Sequence, residues 1–522
     1  MGPYFIARDC DQAFPVPHDI RQWLPEGHLS WRVLELVEQL DLSAFVAYYR
    51  ADGQGHRAYH PAMLVALVLY CYCKGIRSSR GIEAACVDDV GCRVVTANRQ
   101  VDHSTIARFI RRHDQAFKQL FVQLLAVCAR ADLVQVDLVA GDGTKVKANA
   151  STSAGRTLEQ LHDAIDRLEA ALDAEFAVFL AQAVAGGQGS ADDDGAQLGP
   201  APAVRGRTRT ADRLERARAA QAALTGRHGD TAGARSALRQ ATAGARAAKQ
   251  QLDEILAQQQ AKTDRHRARE ETKASGGKAA PGRPPLPLDK APKVTAARRA
   301  AERASAKVHR AQANPHKGAV PKGNTTDPRS RVMPAKSGGY LQAYNLQALA
   351  NRRQIILAVT VHDNPVDVAA LHPLLKAARA NLDAAGIAEK IGKGVFDAGY
   401  ASTDNFTTPT DVELYVAVPI EAGRSSHAQA AGKTIPPGWQ GMAQHMDTEE
   451  AKLVYRQRSG IIEPVFAQLF ACLGRHLHYR GAMVEVELHL WALVHNLLKY
   501  LRSRVRCFLS DGRVRLECLL VA

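Results

Sequence analysis

Asp142 in Ala-Gly-Asp-Gly-Thr-Lys, Asp397 in Val-Phe-Asp-Ala-Gly-Tyr and Glu463 in Gly-Ile-Ile-Glu-Pro-Val-Phe are the residues of this chain best suited to chemistry. Each aspartate follows a short β-branched apolar run, and the glutamate opens a helical pattern among basic residues. Carboxylates brought together from separate elements can hold two divalent cations, and such a pair drives displacement at a phosphodiester. Singly, each has a plainer reading: Asp142-Gly143 as a turn, Asp397-Ala398-Gly399 as a strand-to-loop step, Glu463-Pro464 as a helix start. Together, in this order and in a basic chain, they favour one shared site. Arg458 precedes Glu463 and can hold a phosphate bidentately, while Tyr455 can stack on a base or bond a phosphate. Arg475, His476, His478 and Arg480 follow.

The elements that position these residues have to come from a chain of 522 residues, enough for two or three units. It is 46% hydrophobic, which supports a real core, and its formal charge of +15 suits a polyanionic partner. The nine cysteines contain no Cys-x-x-Cys pair, which argues against a zinc site or a disulfide framework. The N-terminus lacks the basic-then-apolar layout of a signal peptide. The longest apolar stretch, Ala62 to Cys73, is shorter than the ~20 residues that span a bilayer. A cytoplasmic protein without a membrane segment is expected. No phosphate-cradling Gly-x-x-x-x-Gly-Lys-Ser/Thr is present.

Residues 1–130 read as helical. Pro61 opens an apolar helix, and Asp102 or Ser104 caps another whose apolar side is Ile106, Phe109 and Ile110. Arg108, Arg111, Arg112 and His113 form its polar side. Two short helices followed by this one read either as a helix-turn-helix-like DNA-binding unit or as a bundle with a basic solvated face. A strand over 133–141 then ends at Asp142. Strands follow over 340–350 and 354–362, with Asn351-Arg352-Arg353 as a hairpin turn. A helix over 367–382, strands over 393–396 and 414–420, and helices from 449 and over 484–502 complete the order. This is the order of the ribonuclease-H-like fold, an α/β mixed sheet with flanking helices. Strand ends of open sheets are where ligand sites gather.

Between the first and second strands lies an intrusion over 155–322. Leu158, Leu161, Ile165, Leu168 and Leu172 step by 3, 4, 3 and 4, a coiled-coil spacing. Residues 186–210 and 274–292 read as linkers. The expected organisation is therefore a helical DNA-binding domain (1–130), the first part of a catalytic domain (131–154), a basic helical insertion (155–322), and the rest of the catalytic domain with C-terminal helices (323–522).

At this point the chain resembles a family, the bacterial insertion-sequence transposases of the DDE type. The resemblance is carried by Tyr59-His60-Pro61, Gly75 to Arg80, Asp102 to Phe109, Asp142 to Ala150, Thr326 to Arg331, Tyr344-Asn345-Leu346-Gln347, Asp397 to Tyr400, Ile462 to Phe466 and His495 to Lys499. It implies that Asp142, Asp397 and Glu463 are the catalytic, metal-binding triad, loaded with two Mg²⁺ ions or with Mn²⁺. It further implies DNA as substrate, Lys145, Tyr455, Arg458 and Arg475 as contacts to it, a homodimer holding two DNA ends, and work at the bacterial nucleoid. Two departures stand out. Phe470 occupies the place of the family's signature lysine, for which Arg475 is the candidate replacement. Arg458 precedes Glu463 by five positions, one more than the commonest spacing. A nuclease of the same fold without strand transfer, and a DNA-binding relic with structural carboxylates, remain the alternatives.

Overall fold

The computed structural model describes residues 18–49, 58–186, 202–228, 231–275, 284–287, 291–313, 322–335, 338–418 and 438–510. The chain divides into two compact units, Met1–Thr152 with Ser330–Ala522, and Ser153–Arg329.

The first unit begins with helices α1 (Leu29–Glu38), α2 (Ser43–Val46), α3 (Pro61–Cys73), α4 (Ser79–Asp88), α5 (Val90–Val95), α6 (His103–Arg112) and α7 (Asp114–Arg130). Side chains set their starts: His60, Ser78, Asp89 and Asp102 each accept a backbone N–H inside the first turn. Pro61 begins α3, where its missing N–H costs nothing. Residues Leu64 to Cys73 of α3 are all buried, as a helix apolar on every side requires. On α6, Ile106, Phe109 and Ile110 are buried while Arg108, Arg111 and Arg112 are exposed. His113 departs from the expected polar side. It is 3% exposed and packs against Phe45 and Phe109.

After β1 (Leu138–Lys147) the chain enters the second unit. Here β2 (Gly155–Arg156) pairs with β3 (Gly323–Asn324) at the base of two helical hairpins, α8 (Leu158–Gly186) on α9 (Pro202–His228) and α10 (Thr231–Ala274) on α11 (Pro292–Ala313). The Leu158-to-Leu172 stripe meets Leu214, Ala217, Ala220 and Leu224 of α9, so its spacing builds a hairpin seam. The linker expected over 186–210 lies outside the described residues between 187 and 201, and α9 begins at Pro202. Most of the one expected over 274–292 also lies outside them.

The first unit resumes with β4 (Arg331–Pro334), β5 (Tyr340–Asn351), β6 (Ile356–His362), α12 (Leu371–Ala384), β7 (Lys393–Phe396), α13 (Thr403–Thr407), β8 (Glu413–Val416), α14 (Gln440–Asp447), α15 (Glu449–Leu473) and α16 (Met483–Ser510). The strand order is β4-β5-β1-β7-β8, with β6 also on β5. β1 runs antiparallel to β5 and parallel to β7, and β8 continues parallel. This is a ribonuclease-H-like mixed sheet, with the helical region ahead of it and the helical unit inserted after its first strand. One hydrophobic core runs through the helices and the sheet. Residues 419 and 420, at the end of the last expected strand, lie outside the described residues.

Two details correct the expected boundaries. β1 does not stop at Asp142 but continues to Lys147. Gly141 and Gly143 serve close packing instead of a turn: a Cβ on Gly141 would strike the Phe396 ring, and one on Gly143 would strike the Gln347 amide and Asp367. Glu463 likewise does not open a helix but lies inside α15, with Pro464 behind it. A proline in a helix frees the carbonyl four residues back. That carbonyl, of Gly460, accepts from Gln354 Nε2 at 3.1 Å. Gln354 sits at φ 62° in the β5–β6 turn, and its own carbonyl bonds His495 Nε2 of α16 at 2.8 Å. Asn496 exchanges two hydrogen bonds with the Ile356 backbone, both 2.8 Å.

The helical region is tied to α16 by a buried ion pair. Arg77 Nη1 lies 3.3 Å from Glu487 Oε1, their side chains 9% and 0% exposed, and the Arg77 guanidinium stacks over Trp491. Burial pushes the Glu487 carboxyl up to about 7. Arg77→Ala leaves this carboxylate buried without its cation. It is expected to cost about 3–5 kcal/mol in denaturant unfolding, whereas Glu487→Gln should cost less and flatten the pH dependence. The wild-type pair, with a raised carboxyl, loses stability as pH rises from the usual carboxylate range through about 7.

Candidate active site

β1 and β7 are in parallel register with Ala140 opposite Val395. Asp142 lies two residues beyond Ala140 on β1 and Asp397 directly follows β7, close enough for their charges to act on each other. Asp142 Oδ1 accepts the N–H of Gly143 at 2.7 Å, and Asp397 Oδ1 caps the following turn through Gly399 N at 2.9 Å. Burial and then the neighbouring Asp397 charge raise the Asp142 carboxyl above its ordinary value, and Arg458 opposes both.

α15 lies across this edge. Its Arg458 Nη1 is 3.4 Å from Asp142 Oδ2. Burial works against the Arg458 charge, yet Asp142, Tyr455 and Asp397 together raise its pKa. Among the described residues this buried Nη1 has no hydrogen bond of ordinary geometry and is held at ion-pair distance from Asp142. Tyr455 is half-buried beside it, its hydroxyl pushed up mainly by burial. Glu463 lies one and a half turns beyond Arg458 and is exposed. Phe470 lies a further seven residues on, about two turns or ~10 Å along the same stripe. Arg475 lies over the Phe470 ring, 4.2 Å from its centroid.

The opposite face of β1 carries a polar lattice that sequence reasoning missed. Gly143 is in register with Gln347, and Lys145 with Asn345. Asn345 and Gln347 are fully buried and donate to Asp367 Oδ1 at 2.6 and 2.7 Å. Gln347 accepts from the Tyr400 hydroxyl, three residues past Asp397. Lys145, the expected DNA contact, lies 3.5 Å from Asp367 Oδ1. Burial first, then Asp367, Asp142 and Asp397, push the Tyr400 hydroxyl far up. A hydrogen-bonded chain thus links β1, β5 and the Asp397 turn through Asp367. The one signal for Asp367 was Asn345 and Gln347, amides alternating on a buried strand that need an acceptor.

The structure therefore brings together Asp142, Asp397, Tyr455 and Arg458, leaves Glu463 and Arg475 on the exposed stripe of α15 and its C-terminal loop, and holds Arg108, Arg111 and Arg112 on α6. Among the described residues no three histidine, cysteine or acidic side chains stand close enough to cage a metal. The Asp142–Asp397 pair still fits a hard divalent ion. Mg²⁺ is commonly held by one or two carboxylates, with water and substrate phosphate completing its shell, and such a charge would relieve the repulsion that raises Asp142.

A ribonuclease-H-like sheet with paired aspartates on β1 and after β7 defines a nucleic-acid-processing core. Two family models match the chain: Transposase domain (DUF772) over residues 18–112 and Transposase DDE domain over residues 307–497, together more than half of it. The chain belongs to the insertion-sequence transposases of the DDE type. β1 and Asp142 fall between the two matches. No curated protein and no solved structure matches the chain. No helix among the described residues is long and apolar enough to cross a membrane.

Removing the lattice's acceptor should be costly. Asp367→Ala leaves the Asn345 and Gln347 amides without it and is expected to destabilise the protein by about 1–3 kcal/mol. Asp367→Asn, which keeps an acceptor oxygen, should lose less in the same denaturant titration.

Proposed function

We propose that this protein cuts the ends of an insertion sequence and transfers the freed strands to target DNA, using Asp142, Asp397 and Glu463. The observation that carries the reading is the half-buried aspartate pair facing a guanidinium whose Nη1 has no hydrogen bond of ordinary geometry among the described residues. A buried donor left open beside carboxylates suits a phosphate oxygen. Asp142 and Asp397 would hold Mg²⁺ or Mn²⁺, and Glu463, on the helix of Arg458, is the third carboxylate of this reading. Bound divalent metal supplies activation of the attacking oxygen and charge stabilisation at the leaving oxygen.

The chain's own groups do the rest. Arg458 grips the scissile phosphate and fixes it against β1. Tyr455 packs beside it as a stacking surface for a base. The Asp367 lattice holds the Asp397 turn in place from behind. Arg108, Arg111 and Arg112 on α6 contact DNA from the helical domain assigned to residues 1–130. Residues 131–154 and 323–522 form the catalytic domain, and 155–322 the insertion. The protein acts on the bacterial nucleoid, as a homodimer because two ends have to be joined.

Asp142→Asn is expected to abolish cleavage and joining while leaving duplex binding intact; cleavage at the wild-type rate would remove Asp142 from the site. Arg458→Ala should lower the cleavage rate by about 10²–10³-fold, the usual loss when one positioned donor is deleted. Joining of precut ends separates transposase from nuclease, since only the former uses a 3′-hydroxyl as nucleophile. Cleavage without joining would favour the nuclease reading.

A further inference from the structure

The cations nearest the acidic pair are already engaged: Arg458 by Asp142 and Lys145 by Asp367. The unengaged ones gather elsewhere. α15 ends at Gly474, which takes the left-handed φ of 71°, and the chain continues as Arg475-His476-Leu477-His478-Tyr479-Arg480. This segment has almost no regular structure, yet its backbone is pinned on both sides. Lys147 N donates to Arg475 O at 3.0 Å, and Leu477 N donates to Lys147 O at 2.9 Å, a parallel bridge onto the end of β1. Asn149 Nδ2 donates to His478 O at 2.6 Å, and Arg480 Nε donates to Asn149 O at 2.6 Å. From the helical side, Arg77 Nη1 donates to His476 O at 2.7 Å, while Glu487 accepts from His478 N and Tyr479 N. Leu477 is 1% exposed and anchors the segment from below.

The result is a rigid ridge with its charge outward. Lys147, Arg475, His476, His478 and Arg480 are exposed. Arg111 of α6, also exposed, is close enough for its charge to act on Tyr479. Among the described residues, none of Arg111, Lys147, Arg475 and Arg480 forms a salt bridge. The one carboxylate beneath, Glu487, is fully buried and matched by Arg77. Fixed exposed cations with no acidic partner are what a polyphosphate backbone needs. Arg475 also continues the stripe of Glu463 and Phe470, so the ridge leads from the helix that carries the third carboxylate.

We infer that this ridge, with Arg111, Lys147, Arg475 and Arg480 as its contacts, tracks the sugar-phosphate backbone of duplex DNA beside the acidic site. It rests on the transposase reading, names where its DNA lies, and extends the contacts beyond α6 and the signature helix. Apart from the Arg480–Asn149 hydrogen bonds, the segment's conformation comes from its backbone bonds to Lys147, from Arg77, Asn149 and Glu487, and from Leu477, so the Arg475 side chain can be removed without losing a hydrogen bond that pins it.

The test is fluorescence anisotropy of the full chain with a labelled duplex of arbitrary sequence, across a salt series without divalent metal. The double variant Arg475→Ala/Arg480→Ala should lower the slope of log K against log salt by about two, near one per phosphate contact, and Arg475→Ala alone, which removes no hydrogen bond of the segment, should keep the wild-type thermal midpoint and lower the slope by about one. Lys147→Ala should lower it by about one. Lys376→Ala, which removes an exposed cation on α12, should leave it unchanged. An unchanged slope in the double variant overturns the ridge, as does an equal loss in Lys376→Ala. Failure of the wild-type chain to bind any duplex would instead sink the transposase reading.

Discussion

Two carboxylates, Asp142 on β1 and Asp397 just after the neighbouring parallel strand β7, repel, and much of this domain holds them near each other. Burial first, and then the Asp397 charge, raise the Asp142 carboxyl. Neither aspartate can swing away freely. Asp142 stands mid-strand, paired with Ala348 of β5, and Asp397 is locked as the cap of its own turn. Relief comes from one face only, where α15 brings the Arg458 guanidinium. The other face contributes rigidity, since Asp367 receives amides from β5 and, through Gln347, fixes Tyr400.

That arrangement depends on α15 staying continuous past a proline. Pro464 would normally break or kink the helix. Here Gln354 takes up the freed Gly460 carbonyl, and the same Gln354 meets Lys499 and His495 of α16. The β5–β6 turn therefore joins both C-terminal helices. Arg458 lies two residues before Gly460, so the splint sits within one turn of the arginine it has to aim.

Much of the fold was readable because its signals are periodic. The largely buried runs of β5, β6 and β7 and the all-apolar α3 follow from burial on most sides. Asp142 and Asp397 were readable as acids after apolar runs. What failed was punctuation. Gly141-Asp142-Gly143 reads as a turn, and Glu463-Pro464 as a helix start, because local propensity knows nothing of the Phe396 ring or the Gln354 amide. Lys145 carried no local mark of its ion pair, and only the fold shows Asp367 beside it. Asp367 itself lies in a sequence loop, Asn364 to Asp367, with no local mark of its partners on β5. His113 was read as polar for its neighbours, although its own position falls on the buried side of α6.

The balance of charge then separates two tasks. Around the acidic pair stand three carboxylates, Asp142, Asp367 and Asp397, against two cations, Lys145 and Arg458. Such a centre does not by itself attract phosphate. A chain with formal charge +15 has cations to spare, and α6 and the segment after α15 display theirs unpaired among the described residues. Long-range attraction of a polyanion comes from exposed, unmatched charge, since matched pairs cancel beyond about a Debye length of ~10 Å. The acidic pair can thus keep the geometry of a hard-cation site, while the arginines of α6 and of the segment after α15 form no salt bridge among the described residues. Exchanging the two, with free arginines at β1 and paired ones outside, would neutralise the aspartates and leave the substrate without a path.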